Sequence, residues 1–146
     1  DVMLCIQPGE HGSTYGGNPL GSAVAITALD TIVKENMCER AEKLGESMRS
    51  SLKQIQNPLL LEVRGKGLLN AIVIDETKST KGRSAWDLCL LLKDKGLLAK
   101  PTHQNIIRLA PPSVISEEEM ERGIKIITEA LDDLDKVDTI PGAEAH

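Results

Sequence analysis

The stretch LLLEVRGKGLLNAIVI, residues 59–74, decides the fold, because it holds two apolar segments on either side of a glycine-rich break. Leu59–Val63 and Leu68–Ile74 are rich in the aliphatic and β-branched residues that strands favour. We predict two strands here, separated by a bend or bulge at Arg64–Gly67. The stretch therefore places a small sheet in the middle of the chain.

Helix signals lie on both sides of this strand pair. Upstream, apolar residues recur at helical spacing after Asn36: Met37, Ala41, Leu44, Met48, Leu52 and Ile55. Downstream, Ser84 and Ser116 each begin a capping-box pattern, which Asp87 and Glu119 complete three residues later. Three helices are therefore predicted to accompany the sheet.

Two further short strands are expected between the last two helices, at Leu97–Lys100 and Ile106–Ala110. Strands interleaved with helices in this order predict an α+β fold. We expect a small mixed or antiparallel sheet that helices cover on one face. Residues 36–136 would form this domain, and residues 137–146, which lack periodicity, are predicted to be a disordered tail.

The beginning of the chain has a different character. Residues 7–17 hold four glycines and a proline, which predicts a loop. Asn18 and Pro19 then have the residue types of an N-cap and a first helical position. The segment Pro19–Leu29 carries no charge, and a helix that is apolar all round is usually buried. This helix is therefore expected to need a partner surface, and the start of the chain at Asp1 suggests a piece of a longer protein.

Composition excludes several classes of function. The 146 residues carry a net charge of −5 and hold one Trp, one Tyr and no Phe. Single-stranded nucleic acid is bound by aromatic platforms and basic grooves, and neither is indicated, so no nucleic-acid partner is expected. No apolar run suggests a membrane span or a signal peptide. Three scattered cysteines indicate reduced thiols in an intracellular protein and no zinc site.

The loop HGSTYGGNPLG, residues 11–21, is the first candidate site. Its adjacent hydroxyls, Ser13 and Thr14, precede a helix start, and small residues around them expose backbone N–H groups. These are the components of a phosphate-binding loop. A plain glycine-rich connection would have much the same composition, and no Walker motif occurs in the chain.

Three motifs in order carry a resemblance to a known family. The loop HGSTYGGNPLG is similar to the signature loop of class III, pyridoxal-phosphate-dependent aminotransferases. The run RGKGLLNA, residues 64–71, resembles a strand of the small domain in that family, and so do LLAKPTH and IRLAPP, residues 97–103 and 107–112. The resemblance runs from Asp1 to about Asp133. It implies the C-terminal small domain of a fold-type I aminotransferase, preceded in residues 1–35 by the end of the large cofactor-binding domain.

The resemblance also implies roles for particular residues. Ser13 and Thr14 would bind the phosphate of pyridoxal 5′-phosphate held by the other subunit of a homodimer. Arg108, in the IRLAPP strand, would bind a substrate carboxylate, for which a planar guanidinium is well suited. A surface ion pair is the alternative for Arg108, although its apolar neighbours in the sequence, Ile107 and Leu109 among them, argue against simple solvation.

The implied activity is transfer of the δ-amino group of ornithine to 2-oxoglutarate. Tyr15, Asn70-Ala71 and Lys100–His103 favour family members that act on ornithine over those that act on acetylornithine or 4-aminobutyrate. The lysine that binds the cofactor covalently precedes the loop in this family, so no catalytic residue is expected in this chain, which alone would be inactive. Family members occur in mitochondria and in the cytosol. Two alternatives remain: another ω-aminotransferase of the family, and a stand-alone, non-catalytic α+β dimerisation module.

Overall fold

The computed structural model describes residues 2–143, which divide into two compact units on either side of the Asn36–Met37 bond. The first unit holds a short 3₁₀ helix, Val2–Cys5, and helix α1, Pro19–Lys34. Asn18 caps α1 as predicted, because its side-chain oxygen accepts a hydrogen bond from the backbone N–H of Gly21 at 2.7 Å. No residue of α1 is buried, although its first eleven residues carry no charge.

Within the part of the chain that the structure describes, the second unit contains the remaining helices and all the strands. Its helices are α2 (Met37–Lys53), α3 (Ala85–Asp94) and α4 (Glu117–Asp133), and a 3₁₀ turn spans Glu76–Lys78. Its strands are β1 (Leu60–Lys66), β2 (Leu69–Ile74), β3 (Lys100–Thr102) and β4 (Ile106–Leu109). Both predicted capping boxes are present, at Ser84–Asp87 and at Ser116–Glu119.

The four strands form one antiparallel sheet in the order β1-β2-β4-β3, which confirms the predicted α+β fold. Helix α2 contacts β1 and β2, α3 contacts β3 and β4, and α4 packs against α2 and α3. Alternate strand residues face these helices and join the buried core: Val63, Ile72, Ile74, Ile107 and Leu109. The residues between them lie on the opposite face, which has few buried side chains.

The two predicted strands are present, but the bend or bulge predicted between them at Arg64–Gly67 is wrong, because they are joined by a tight hairpin. Strand β1 runs through Lys66, and the chain reverses in the two-residue loop Gly67-Leu68. Gly67 has a φ of 53°, the left-handed conformation that a tight hairpin loop favours at its first position. The irregularity in the β1–β2 register lies instead between Leu60 and Glu62.

The third strand also begins later than predicted. Leu97, expected as its first residue, instead completes the C-terminal cap of α3 by donating its N–H to the Leu92 carbonyl at 2.8 Å. Gly96, in a left-handed conformation with a φ of 95°, permits this cap. Strand β3 therefore begins only at Lys100.

The predicted disordered tail is wrong for residues 137–140. Ile140 is 5 % exposed and belongs to the core. Arg83 donates to the carbonyls of Val137 and Asp138 at 2.9 and 3.0 Å, and Lys81 forms an ion pair with Asp138 at 2.8 Å. The segment is thus held by the buried side chain of Ile140 and by the basic residues Lys81 and Arg83. These contacts have no periodic spacing in the sequence, so the sequence does not predict them. Residues 144–146 of the predicted tail lie outside the described residues.

Candidate functional site

The glycine-rich loop of the first unit presents its polar groups to solvent. Ser13 accepts a hydrogen bond through Oγ from the backbone N–H of Gly16 at 2.9 Å, which closes a tight turn. A Cβ on Gly16 would lie 2.9 Å from the Cβ of Ser13, so the turn requires glycine there. Ser13 keeps its hydroxyl hydrogen available for donation, since the recorded bond uses only the oxygen.

Thr14 lies at the exposed tip of this turn, and its hydroxyl makes no hydrogen bond within residues 2–143. Helix α1 begins at Pro19, five residues after Thr14, and Asn18 is its N-cap. The Nδ2 group of Asn18 donates to the Tyr15 carbonyl at 2.6 Å, which ties the loop to the helix start. Two hydroxyl groups therefore precede a helix N-terminus, an arrangement that suits an anion.

In the second unit, the sheet face away from the helices carries the other candidate residue. Arg64, Ala71, Arg108 and Lys100 are directly opposed from strand to strand, and we call these four residues the cross-strand row. Arg64 forms an ion pair with Glu62 at 3.5 Å. Arg108 and Lys100 are exposed and form no ion pair with any described residue. Among residues 2–143, the row thus ends in two adjacent cations without a counter-charge.

The structure corrects one argument made for Arg108. Ile107 and Leu109 point into the core on the other face of the sheet, so they do not surround the guanidinium. Among residues 2–143, no carboxylate forms an ion pair with Arg108, and the alternative of a surface ion pair stays untested. Ala71 lies directly opposite Arg108 on the neighbouring strand β2, on the same face of the sheet. Its small side chain leaves the guanidinium of Arg108 accessible.

Sequence reasoning missed one functional-looking residue, Arg49 on α2. It is only 6 % exposed, and its guanidinium donates to the Gly67 carbonyl at 2.9 Å and to Oδ1 of Asn70 at 2.8 Å. Glu46 supplies the counter-charge at 2.8 Å. The hydrogen bond and charge of Arg49 hold the pKa of the Glu46 carboxyl below its usual range.

The motif RGKGLLNA therefore has a structural explanation. A Cβ on Gly65 would lie 2.3 Å from Oδ1 of Asn70, and a Cβ on Gly45 of α2 would lie 1.8 Å from the Gly67 carbonyl oxygen. Backbone approaches of this closeness exclude any side chain. The glycines let α2 pack on the hairpin, and Arg49 and Asn70 lock it there, so the β2 residues that adjoin Arg108 are held in place.

The other titratable groups of chemical interest are not arranged for catalysis. Burial raises the pKa of the Cys89 thiol to about 11, which makes it unreactive. Cys5 and Cys38 are exposed, whereas Cys89 is buried. Within residues 2–143, no group of three His, Cys, Asp or Glu side chains has a metal-binding arrangement, and no helix is long and apolar enough to cross a membrane.

Ser13 and Thr14 thus lie together in the first unit, and Arg108 lies in the second. The same chain matches a family model, that of class III aminotransferases, over residues 1–131. The match covers most of the sequence, and the chain belongs to the class III aminotransferase family.

Curated relatives sharpen this assignment. The chain is 67 % identical over 92 % of its length to an ornithine aminotransferase of Emericella nidulans, and it covers 29 % of that protein. It is 55 % identical over 99 % of its length to ornithine aminotransferase car2 of Schizosaccharomyces pombe, of which it covers 33 %. A mitochondrial ornithine aminotransferase of Rattus norvegicus is 54 % identical over 90 % of the chain, which covers 29 % of it. The chain therefore spans about a third of the length of the relatives it matches.

Solved structures agree with the fold. An ornithine δ-aminotransferase of Plasmodium falciparum superposes with a TM-score of 0.82 at 40 % identity, over 92 % of this chain and 34 % of that one. An acetylornithine aminotransferase of Elizabethkingia anophelis gives a TM-score of 0.77 at 54 % identity, over 90 % of this chain and 34 % of that one.

Proposed function

We propose that this chain is part of an enzyme that transfers the δ-amino group of L-ornithine to 2-oxoglutarate, giving glutamate 5-semialdehyde and glutamate. The observation that carries the proposal is the 67 % identity to an ornithine aminotransferase over nearly the whole chain. Family membership also leaves the alternative of an unrelated dimerisation module without support.

The cofactor of the proposed enzyme is pyridoxal 5′-phosphate, and the loop of the first unit fits its phosphate group. The exposed hydroxyls of Ser13 and Thr14 are donors, and they precede the positive end of the α1 dipole. When bound, this cofactor supplies an electron sink for negative charge at the reacting carbon. Ser13 and Thr14 would hold and orient its phosphate, and we propose that they do so for the other subunit of a homodimer.

Arg108 has the chemistry of a carboxylate-binding residue. Its guanidinium is exposed, has no protein counter-charge among the described residues and adjoins the small side chain of Ala71. A planar fork of N–H donors binds both oxygens of one carboxylate and fixes its orientation. We therefore assign Arg108 to substrate binding. The lysine that performs the covalent chemistry is proposed to lie in the protein outside these 146 residues, so the chain alone should be inactive.

A second candidate function is transfer from N-acetylornithine. The structural similarity to an acetylornithine aminotransferase at 54 % identity favours it specifically. The two donors differ at the α-amino group, which is charged in ornithine and neutral in N-acetylornithine.

A panel of amine donors assayed with the full-length protein tests the proposal. Ornithine, N-acetylornithine and 4-aminobutyrate are supplied at matched concentrations, each with 2-oxoglutarate, and glutamate and the aldehyde product are both quantified. We expect ornithine to have the highest kcat/KM. A higher kcat/KM for N-acetylornithine would establish the second candidate, and turnover of neither would overturn both.

The names of several relatives place them in mitochondria. We propose an intracellular location for this enzyme, in the mitochondrial matrix or the cytoplasm. Fluorescent tagging of the full-length protein at its C-terminus tests this, and a secreted product would contradict it.

A further inference from the structure

Among residues 4–143, two polar side chains are buried, and they are hydrogen-bonded to each other. Arg49 of α2 is 6 % exposed and Asn70 of β2 is 2 % exposed, and a guanidinium nitrogen of Arg49 donates to Oδ1 of Asn70 at 2.8 Å. Burial of a charged group is costly, and apolar side chains of similar volume often give equal or greater stability. Stability alone therefore does not explain the pair. The best-documented benefit of a buried polar contact is that it specifies register.

The apolar pattern of β2 leaves its register ambiguous. A shift of one residue moves every side chain of a strand to the other face of the sheet. Leu68 and Leu69 are both apolar, and so are residues 72–74, so these positions would still supply apolar side chains to the core after such a shift. Asn70 is the single polar residue in the run 68–74. A shift would turn Asn70 away from α2, so its bond to Arg49 distinguishes the observed register.

The same contacts connect the hairpin loop to α2. The guanidinium nitrogen that donates to Asn70 also donates to the Gly67 carbonyl at 2.9 Å, and Nδ2 of Asn70 donates to that carbonyl at 3.1 Å. Glu46, one helical turn before Arg49, balances the charge at 2.8 Å. Each bond depends on the others, so a shift of β2 would break the whole set. The pair is already buried within the second unit, and further protein around that unit can only bury it more.

The register of β2 determines what lies on the other face of the sheet. Asn70 and Ala71 follow each other in β2, so their side chains point to opposite faces. Asn70 is opposite Leu109 on β4, and Ala71 is opposite Arg108. We propose that Arg49 and Asn70 form a positioning pair, which fixes the register of β2 and thereby the position of Arg108 relative to the substrate. This inference rests on the proposed function, since it takes the role of Arg108 from there.

The test separates register from stability, because the two residues are replaced singly and together in the full-length enzyme. Arg49→Met and Asn70→Leu each leave a buried polar group without its partner, so each should lower Tm. The double variant has apolar side chains at both positions and should recover most of the lost Tm. The kcat/KM for 2-oxoglutarate should still be lower than in the wild type by roughly tenfold in all three variants, because a small displacement of a binding group is costly. Recovery of kcat/KM together with Tm would overturn the inference.

Leu131→Ala is the control for a general loss of packing. Leu131 is a core residue of α4, which packs against α2 and α3. This variant should lower Tm and change kcat/KM for 2-oxoglutarate by no more than about twofold. A loss of kcat/KM equal to that of Arg49→Met would overturn the inference, since it would show that any weakening of the core has this effect.

A double-mutant cycle with Arg108 tests whether Arg49 acts through it. Where Arg108→Ala lowers kcat/KM for 2-oxoglutarate, the further addition of Arg49→Met should lower it by no more than about twofold. Additive losses in the double variant would overturn the inference, because they would mean that Arg49 acts independently of Arg108.

Hydrogen exchange of the same full-length proteins gives a readout that needs no substrate. The β2 amides of the Arg49→Met/Asn70→Leu variant should exchange at least roughly threefold faster than in the wild type, while those of α3 stay unchanged. Unchanged exchange in β2 would overturn the inference. Faster exchange in β2 together with a wild-type kcat/KM for Arg108→Ala would count against the role of Arg108 in the proposed function and would leave the register role standing.

Discussion

The two units of this chain use apolar residues in opposite ways. Helix α1 of the first unit begins with eleven uncharged residues, yet Leu20 is 76 % exposed and no residue of the helix is buried. Helix α2 of the second unit is more polar, yet Leu52 is fully buried. Apolar content alone therefore does not identify a core. The periodic placement of fewer apolar residues does, because it gives a helix one face that packs on a sheet.

The largest expected effect comes from truncating one leucine in each unit. Leu52→Ala should destabilise the 146-residue chain by about 2–5 kcal/mol, since it removes methyl groups from a packed core. Leu20→Ala, which makes the same change at an exposed helical position, should alter stability by less than about 0.5 kcal/mol. Urea denaturation followed by circular dichroism measures both. Equal effects would show that α1 packs as tightly as α2 and would remove the contrast.

A smaller effect is expected from two glycines on helices of the second unit. Gly45→Ala should destabilise by about 1–3 kcal/mol, because its Cβ would meet the Gly67 carbonyl and push α2 off the hairpin. Gly123→Ala on α4 meets only Leu97, 3.7 Å away, and should stabilise by up to about 1 kcal/mol through helix propensity. Thermal melting separates the two. A stabilised Gly45→Ala would contradict the close contact between α2 and the hairpin.

The smallest effect concerns the helix caps, which differ between the units. The neutral amide of Asn18 caps α1, whereas α4 has Ser116 as its N-cap and the carboxylate of Glu119 completes the capping box. Hydrogen bonds from the backbone and side chain of Ser116 lower the pKa of Glu119. Its stabilising effect is therefore present above the pKa of the unfolded carboxyl, about 4.3, and is lost as the pH falls through the lower folded value.

Glu119→Gln should therefore flatten the loss of stability on acidification below about pH 4, while it keeps the cap at neutral pH. Glu118→Gln is the matched control, because it removes a charge from the same helical turn and leaves the capping box intact. Denaturant midpoints of the three proteins across this pH range measure the effect. An unchanged slope in Glu119→Gln would mean that the capping carboxylate does not contribute.

The sequence predicts local structure well where one or two residues determine it. Asn18, Ser84 and Ser116 begin helices as expected, because a cap depends only on its own turn. The hairpin was misplaced because Gly65 and Gly67 look alike in sequence. Only Gly67 lies in the turn, whereas Gly65 is needed for its contact with Asn70.

The sequence carries no comparable local signal for contacts between residues that are far apart in the chain. Arg49 lies on the core side of α2, and its partners Gly67 and Asn70 belong to the β1–β2 hairpin about twenty residues further on. Ile140 is a single apolar residue in a polar tail, and only the packed structure shows that it is buried. The binding roles of Ser13, Thr14 and Arg108 are implied by the resemblance to a family. These roles stay predictions. The pairing of Lys100 with Arg108 required the strand register.

The central claim is that the two units have separate binding functions, with the cofactor phosphate bound by the first and the substrate carboxylate by the second. Thr14→Val and Arg108→Ala in the full-length enzyme test it most directly, with the Kd for pyridoxal phosphate and both the KM and the kcat/KM for 2-oxoglutarate measured for each variant. Thr14→Val should weaken cofactor binding by about 1.5–3 kcal/mol and leave the KM near wild type. Arg108→Ala should cost about 2–5 kcal/mol in kcat/KM for 2-oxoglutarate and leave cofactor binding unchanged. If both variants changed the same quantity, or neither changed either, the division of functions between the units would be contradicted.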